Sequence, residues 1–375
     1  MNKKIIALAV ASLASGVAVA QTNVTMYGVV DNMYVYSQGK AGVGGGTNKF
    51  SGLNGGGGTA GNRLGFKGEE ALGNGLKAVF TLEYGLHLDN NEGIGTSGLN
   101  ARQQFVGLSG NWGTVALGRQ YAPGFNATAN NDALEATDMS VQSSLSVYAG
   151  NSITPNSPAR YNNAITYTSN SMAGFTASAI YGFGETRDQL GTFNNNFVST
   201  TDNGKIGLGL NYANGPINLD AVYQSRQNVR LTLPAVVGEG DDINEWYLGG
   251  SWDFKVVKAY ASYQSLNNQN RALLISDNDI WTVGLSAPIG NGVFGISYGK
   301  LSVDNRNRPD GDSWGWGAMY QYNLSKRTAV YAAYTYFDND RNSVPVQTQV
   351  AGDGFGIGAL GESNYTLGAG IRHSF

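Results

Sequence analysis

Apolar and polar residues alternate with period two through most of the chain beyond residue 200. In residues 313–324, Trp314, Trp316, Ala318, Tyr320, Tyr322 and Leu324 share one parity, and Ser313, Gly315, Gly317, Met319, Gln321 and Asn323 the other. Residues 245–254 repeat the pattern, with Trp246, Leu248, Trp252 and Phe254 against Glu245, Tyr247, Ser251 and Asp253. Residues 205–212 and 365–375 do the same. Successive side chains of a strand point to opposite faces, so each segment reads as a strand with one apolar and one polar face.

A soluble sandwich would turn the apolar faces inward. Three features predict the inverse, with apolar side chains facing lipid. The strands run about 9 to 12 residues, the length of a tilted membrane crossing. Tyr and Trp gather at strand ends, where interfacial girdles lie. The polar faces carry Gly, Lys, Glu, Asp and Arg, which suits a watery bore. The connections also alternate. Tight turns at 72–75, 170–174, 214–216, 290–292 and 324–328 interleave with long polar loops such as 38–61, 89–100, 184–203, 228–243 and 340–361. Counting segments gives sixteen strands, starting near residues 22, 61, 75, 100, 113, 160, 175, 204, 217, 244, 256, 279, 293, 313, 329 and 362. The expected fold is therefore all-β, a transmembrane antiparallel barrel of sixteen strands forming one domain over residues 21–375.

The N-terminus changes the picture in one respect. Lys3 and Lys4 precede an apolar run at 5–14, and Ala18-Val19-Ala20 fits a small-x-small cleavage site. This is the layout of a secretory leader, expected to be removed as residues 1–20. No later stretch of 18 apolar residues could span as a helix. Without the leader, 22 basic residues face 27 acidic ones, a net charge of −5. That acidic balance argues against nucleic-acid binding. The absence of cysteine excludes disulfide frameworks and thiolate metal sites. High aromatic content and low charge exclude a disordered chain.

Several segments carry a family resemblance. Thr25-Met26-Tyr27-Gly28-Val29-Val30-Asp31 opens the mature chain. Arg63-Leu64-Gly65-Phe66-Lys67-Gly68-Glu69-Glu70 runs on to Leu72-Gly73-Asn74-Gly75-Leu76-Lys77-Ala78-Val79-Phe80, followed by Arg102-Gln103-Gln104-Phe105-Val106-Gly107-Leu108 and by Trp112-Gly113-Thr114-Val115-Ala116-Leu117-Gly118-Arg119. The chain ends in Phe375 with alternating apolar residues before it. Together these resemble the Gram-negative general-diffusion porins, closest to the β-proteobacterial type. The resemblance implies a homotrimer in the outer membrane, in contact with lipids and lipopolysaccharide, and delivered by the barrel-insertion machinery that reads Phe375. It implies passive passage of small hydrophilic solutes and ions, with no cofactor, no metal and no catalysis.

The longest connection, residues 120–159, lacks strand periodicity and is too long for a passive turn. In the family this third long loop folds into the lumen and narrows it. Here it carries Asp132, Glu135 and Asp138, and no Lys or Arg between 121 and 159. Opposite it the family places wall arginines, and Arg63, Arg102 and Arg160 match by local motif. Guanidinium groups are always charged, so a row of them facing carboxylates makes a transverse field that sorts ions by sign. Three arginines favour anions and three loop acids oppose them; the family leaning gives a mild anion preference. The resemblance also implies an inter-subunit latch between Arg119 and Glu92, the alternative being two solvated charges. Strand parity places Arg160 with Asn162, Ala164 and Thr166, and points Tyr161, Ile165 and Tyr167 the other way. Lys67, Lys77, Glu83, Lys205, Lys258 and Arg372 fall on polar faces as further lumen candidates.

Other motifs are weaker. Gly56-Gly57-Gly58-Thr59-Ala60-Gly61 matches a dinucleotide fingerprint, but it leads into a strand where that fingerprint needs a helix. His87 and His373 are the only histidines, and nothing in the sequence orients His87 for catalysis. Asp310/Asp312 and Asp338/Asp340 lack EF-hand spacing. The competing functions are a substrate-specific channel, an outer-membrane barrel enzyme, and an exported soluble β-protein.

Overall fold

A computed structural model of the chain describes residues 23–40, 45–90, 100–184, 203–229, 241–269, 276–306, 308–350 and 357–375. Strands β1 (Asn23–Lys40), β2 (Thr47–Asn54), β3 (Arg63–Gly73), β4 (Leu76–Gly85), β5 (Ala101–Gly110) and β6 (Gly113–Tyr121) precede the longest connection. That connection, L3, spans residues 122–159 and contains two short α-helices, α1 (Pro123–Asn130) and α2 (Val141–Tyr148), and a 3-10 turn at Ser157–Ala159. Then come β7 (Arg160–Thr168), β8 (Phe175–Gly182), β9 (Lys205–Asn214), β10 (Ile217–Val229), β11 (Asp241–Asp253) and β12 (Lys258–Asn268). Strands β13 (Asp277–Ile289), β14 (Gly292–Asp304), β15 (Gly311–Asn323), β16 (Thr328–Asn339) and β17 (Ser363–Ser374) complete the chain. The expected leader at 1–20 lies outside the described residues.

From β3 onward each strand pairs antiparallel with its successor, and β1 closes the ring by pairing with β3 and with β17. The closed barrel has sixteen strands, whose starts fall within three residues of those expected from the periodicity. The seventeenth, β2, lies inside the segment read as loop 38–61. It pairs with the upper half of β1, from Met33↔Asn54 to Lys40↔Thr47, where β3 has not yet begun. Its sequence carries only two large apolar residues, Phe50 and Leu53, so no alternation announces it. The free edge of β1 supplies the hydrogen bonds that make it a strand. Tight hairpins set the register elsewhere. Asn74 and Gly75 both take positive φ, 50° and 76°, the geometry that matches strand twist in a two-residue turn.

The barrel is inverted relative to a soluble protein. On β11, Leu248 is 55% exposed while its neighbour Tyr247 is 0% exposed. Trp281, Trp316, Leu367 and Ile371 likewise face outward. Aromatic rings meet across strands on that outer wall, with centroids 5.4 Å apart for Trp281–Tyr298, 5.9 Å for Tyr298–Trp314 and 5.0 Å for Trp316–Tyr334. An apolar wall with a ring of Trp and Tyr is what a bilayer and its interface select. No helix among the described residues is long and apolar enough to cross a membrane; the crossing is made by strands.

The buried core lies inside the barrel, between L3 and the wall. Leu134 and Met139 pack with Met33, Val35, Met319, Tyr331 and Ala333. Val141 and Leu145 of α2 pack with Ile280, Leu301, Val303 and Phe337. Each such leucine contributes about 2 kcal/mol by leaving water. Gly295 makes the approach possible, since a Cβ there would overlap the carbonyl oxygen of Ala133.

Candidate functional site

L3 is bound into the lumen by polar contacts along its length. At α1, the Gly124 amide donates to Gln224 Oε1 at 2.9 Å, and Asn131 Nδ2 donates to Asp220 Oδ2 at 2.8 Å, both acceptors on β10. The middle of the loop is held by Thr335 of β16, whose hydroxyl donates to the Met139 carbonyl at 2.8 Å. The Asp138 amide donates to the Gly58 carbonyl at 3.2 Å, joining L3 to the first loop. On the return, Glu245 of β11 is 1% exposed and accepts the amides of Ser152 and Ile153 at 2.8 and 3.0 Å. Arg226 donates to Glu245 at 2.8 Å and to the Gly150 carbonyl at 3.0 Å. The carboxylate is thus neutralised by one guanidinium and two amides, the pairing a buried charge requires.

This path lines β6 to β17 and β1, and leaves β3 to β5 facing open space. Lys67, Glu69 and Lys77 on those strands are exposed. Higher on the same wall the arginines converge on one carboxylate. Arg102 Nε donates to Glu83 Oε1 at 2.8 Å, and Arg63 Nε lies 3.7 Å from Glu83 Oε2. Tyr27 donates to the same carboxylate at 3.0 Å, and Tyr121 at 3.3 Å. The Tyr121 hydroxyl in turn accepts from Arg102 Nη2 at 3.2 Å. Arg160 lies over Tyr121 and Phe125, 5.6 and 5.7 Å from their ring centres. Those two rings stack on each other at 3.8 Å. Two guanidiniums therefore share one carboxylate and Arg160 stands beside them over Tyr121, so the three arginines and Glu83 together carry an excess of two positive charges.

Two irregularities aim these side chains. Glu83 pairs with Gln103 but Tyr84 pairs with Ala101, so Arg102 is the extra residue of a bulge. Strict alternation would place it with Val106 and Leu108, which face outward; the bulge turns it inward. A second register shift, with Gly118 opposite Ala164 but Gln120 opposite Tyr161, lies where β7 leaves L3. It overturns the parity expectation for Tyr161, which is fully buried with Ala122, Ala164 and Ile180 instead of pointing away from the bore.

The loop acids sit apart from the arginines. Asp132 is buried, and its carboxylate accepts the amides of Leu134 and Ala136 at 3.1 and 2.9 Å. It closes the turn in which Glu135 and Ala136 both have φ of 55°. Burial pushes its carboxyl above the usual carboxylate range. Glu135 is exposed, within electrostatic reach of Tyr260 on β12. Asp138 is half-buried, between Gly58 and Gln349. Arg119 donates within its own chain, from Nε to the Ala101 carbonyl at 2.8 Å and from Nη1 to Asn162 Oδ1. Glu92 lies outside the described residues. Phe375 exchanges both backbone hydrogen bonds with Gly28, each 3.1 Å, and its ring occupies the space a Gly28 side chain would need. The glycine-rich segment at 56–61 holds no helix. The amides of Thr59 and Ala60 donate to the buried carboxylate of Asp31 at 2.8 and 3.0 Å, so the chain supplies its own anion there.

Sequence reasoning ranked Glu83 as a minor lumen residue, yet it is the hub. Simple counting outward from the Asn74–Gly75 turn would put Glu83 opposite Phe66; the register shift between Ala71 and Gly73 brings it opposite Gly65, two residues from Arg63, so its place as the hub was hidden from the sequence. Tyr121, Glu245 and Asp31 carried no local signal, because their partners lie on distant strands or loops.

A closed barrel with an apolar, aromatic-banded outside, a loop packed within its bore and a charged wall left bare is the architecture of an outer-membrane channel. Comparison with known proteins agrees. The profile of the Gram-negative porin family matches residues 7–342. The chain is 32% identical to outer membrane porin protein 32 of Delftia acidovorans and 29% identical to an outer membrane porin of Bordetella pertussis, over the full length of each. The anion-selective porin of Comamonas acidovorans superposes with a TM-score of 0.74 at 27% identity, covering 95% of this chain and all of that one. The chain belongs to the Gram-negative porin family and resides in the outer membrane.

Proposed function

We propose that the protein passes small hydrophilic solutes and ions down their gradients, with a mild preference for anions set by the Arg63–Arg102–Arg160 cluster. The observation that carries this reading is the charge imbalance on this wall, where Arg63 and Arg102 share Glu83 and Arg160 lies over the neighbouring Tyr121 ring. An ion about 6 Å from one uncompensated charge in a water-like dielectric gains or loses ~0.7 kcal/mol, roughly halved by physiological salt. Two excess charges separate anions from cations by about 1.4 kcal/mol, near tenfold. Glu135 and Asp138 across the bore oppose this, which leaves a preference of a few-fold. Asp132 contributes little, its carboxylate being committed to its own turn. The selectivity of the Comamonas acidovorans porin supports the sign. Transport of this kind uses no cofactor, nucleophile or energy input.

Export on the leader at 1–20, insertion guided by Phe375, contact with lipid and lipopolysaccharide, and assembly as a homotrimer complete the proposal. In that trimer Glu92 of a neighbouring copy is assigned as a further acceptor for Arg119. The test is the reversal potential across a bilayer in a salt gradient. The expected sign is anionic, and replacing Arg63, Arg102 and Arg160 with glutamine moves it toward cations while the barrel still folds. A cationic sign for the native protein would overturn the selectivity reading.

A further inference from the structure

A cavity of about 380 Å³ lies beneath α1, on the tight-turn side of L3. Its chemistry differs from that of the arginine cluster. Asn126 and Asn130, one helical turn apart, present their amides from above. Thr168, Thr176 and Ser178 present hydroxyls from β7 and β8. None of these five side chains has a hydrogen-bond partner among the described residues. Pro123, Ile180 and Val222 form an aliphatic side of the same space. Among the described residues, Asp220 is the one charged residue lining it. Its Oδ1 accepts Asn211, and its Oδ2 accepts Asn131 and Asn218, at 2.8 to 2.9 Å. Those bonds occupy the carboxylate, and among the described residues no cationic side chain lines the cavity to hold an anion.

Unpaired neutral donors and acceptors facing an aliphatic surface match a molecule with a C–H face and a rim of hydroxyls. The volume falls in the range of small-ligand sites. We propose that this cavity is a weak binding station for uncharged polyhydroxy solutes of hexose size. The proposal rests on the channel reading and extends it to a solute class that the arginines do not select. Anions would be concentrated by the wall charge, and neutral polyols would be held below L3 by amide and hydroxyl contacts.

The probe is D-glucose, and the variant is Asn126→Ala, Asn130→Ala, Thr176→Val and Ser178→Ala combined in the full-length protein. Saturation-transfer NMR on detergent-solubilised protein should show transfer to the glucose ring protons, with binding about tenfold weaker in the variant. In planar bilayers glucose should lower the native conductance in a saturable way, and the variant's only in proportion to bulk conductivity. A conducting native channel with no saturable component and no saturation transfer overturns the site and leaves the channel reading standing. Glucose binding by a protein that inserts silently would instead keep the site and reject the channel.

Discussion

Replacing Glu83 with glutamine tests how the wall charge is set. The glutamine keeps the shape and one carbonyl oxygen for Arg102, but removes the only negative charge among Arg63, Arg102 and Arg160. The local excess rises from two positive charges to three. One added charge about 6 Å from the ion path separates anions from cations by ~1.4 kcal/mol in water-like dielectric, and screening leaves roughly half, so the anion-to-cation permeability ratio should rise about threefold. A buried pair that loses one member costs about 3–5 kcal/mol, and less here because Arg102 keeps Tyr121 and borders the open lumen. The barrel should therefore fold. The assay is the reversal potential of the purified variant in a salt gradient. Glu69→Gln is the control: Glu69 pairs with Lys77 at 2.9 Å with both side chains about half exposed, a contact of little energetic weight whose loss should move the ratio much less. An unchanged ratio in Glu83→Gln, or a shift toward cations, would refute the assignment of Glu83 as the charge that limits anion preference.

Two further outcomes follow from buried contacts. Glu245→Ala removes the acceptor of the Ser152 and Ile153 amides and leaves Arg226 without its carboxylate; the returning limb of L3 should loosen, and single-channel records should show added open-state noise and brief steps, where a quiet trace like the native one would count against the tether. Gly28→Val puts a side chain where the Phe375 ring lies; the yield of folded, heat-resistant barrel should fall sharply, and unimpaired assembly would show that the C-terminal residue does not need that close approach.

The fold was legible because its physics is local. Period-two alternation, Gly-Asn-Gly turns and long polar loops fixed sixteen strands and their inversion without any knowledge of distant contacts. Strand β2 was not legible, because Thr47–Asn54 has only Phe50 and Leu53 as large apolar residues, shows no alternation, and is a strand only through the free edge of β1. The two helices of L3 were hidden for a related reason. Each spans eight residues, and α1 has Asn126 and Asn130 on an open face where a soluble helix would carry charge. Within the site, Arg63 obeyed parity and Arg102 did not, since a bulge cannot be read from one strand alone. Asp132 was expected as a lumen charge from the family resemblance, and the turn that consumes its carboxylate becomes visible only when the amides of Leu134 and Ala136 are placed.

The account depends on water filling the bore beside β3 to β5 while lipid covers the opposite side of each strand. The chain has no cysteine, so single replacements report cleanly. Lys67→Cys places a thiol on the exposed inner wall and Trp316→Cys places one on the outer wall. A charged, membrane-impermeant thiol reagent added to an open channel should cut the current in discrete steps at position 67 and leave position 316 untouched. Reaction at 316 from water, with position 67 silent, would contradict it.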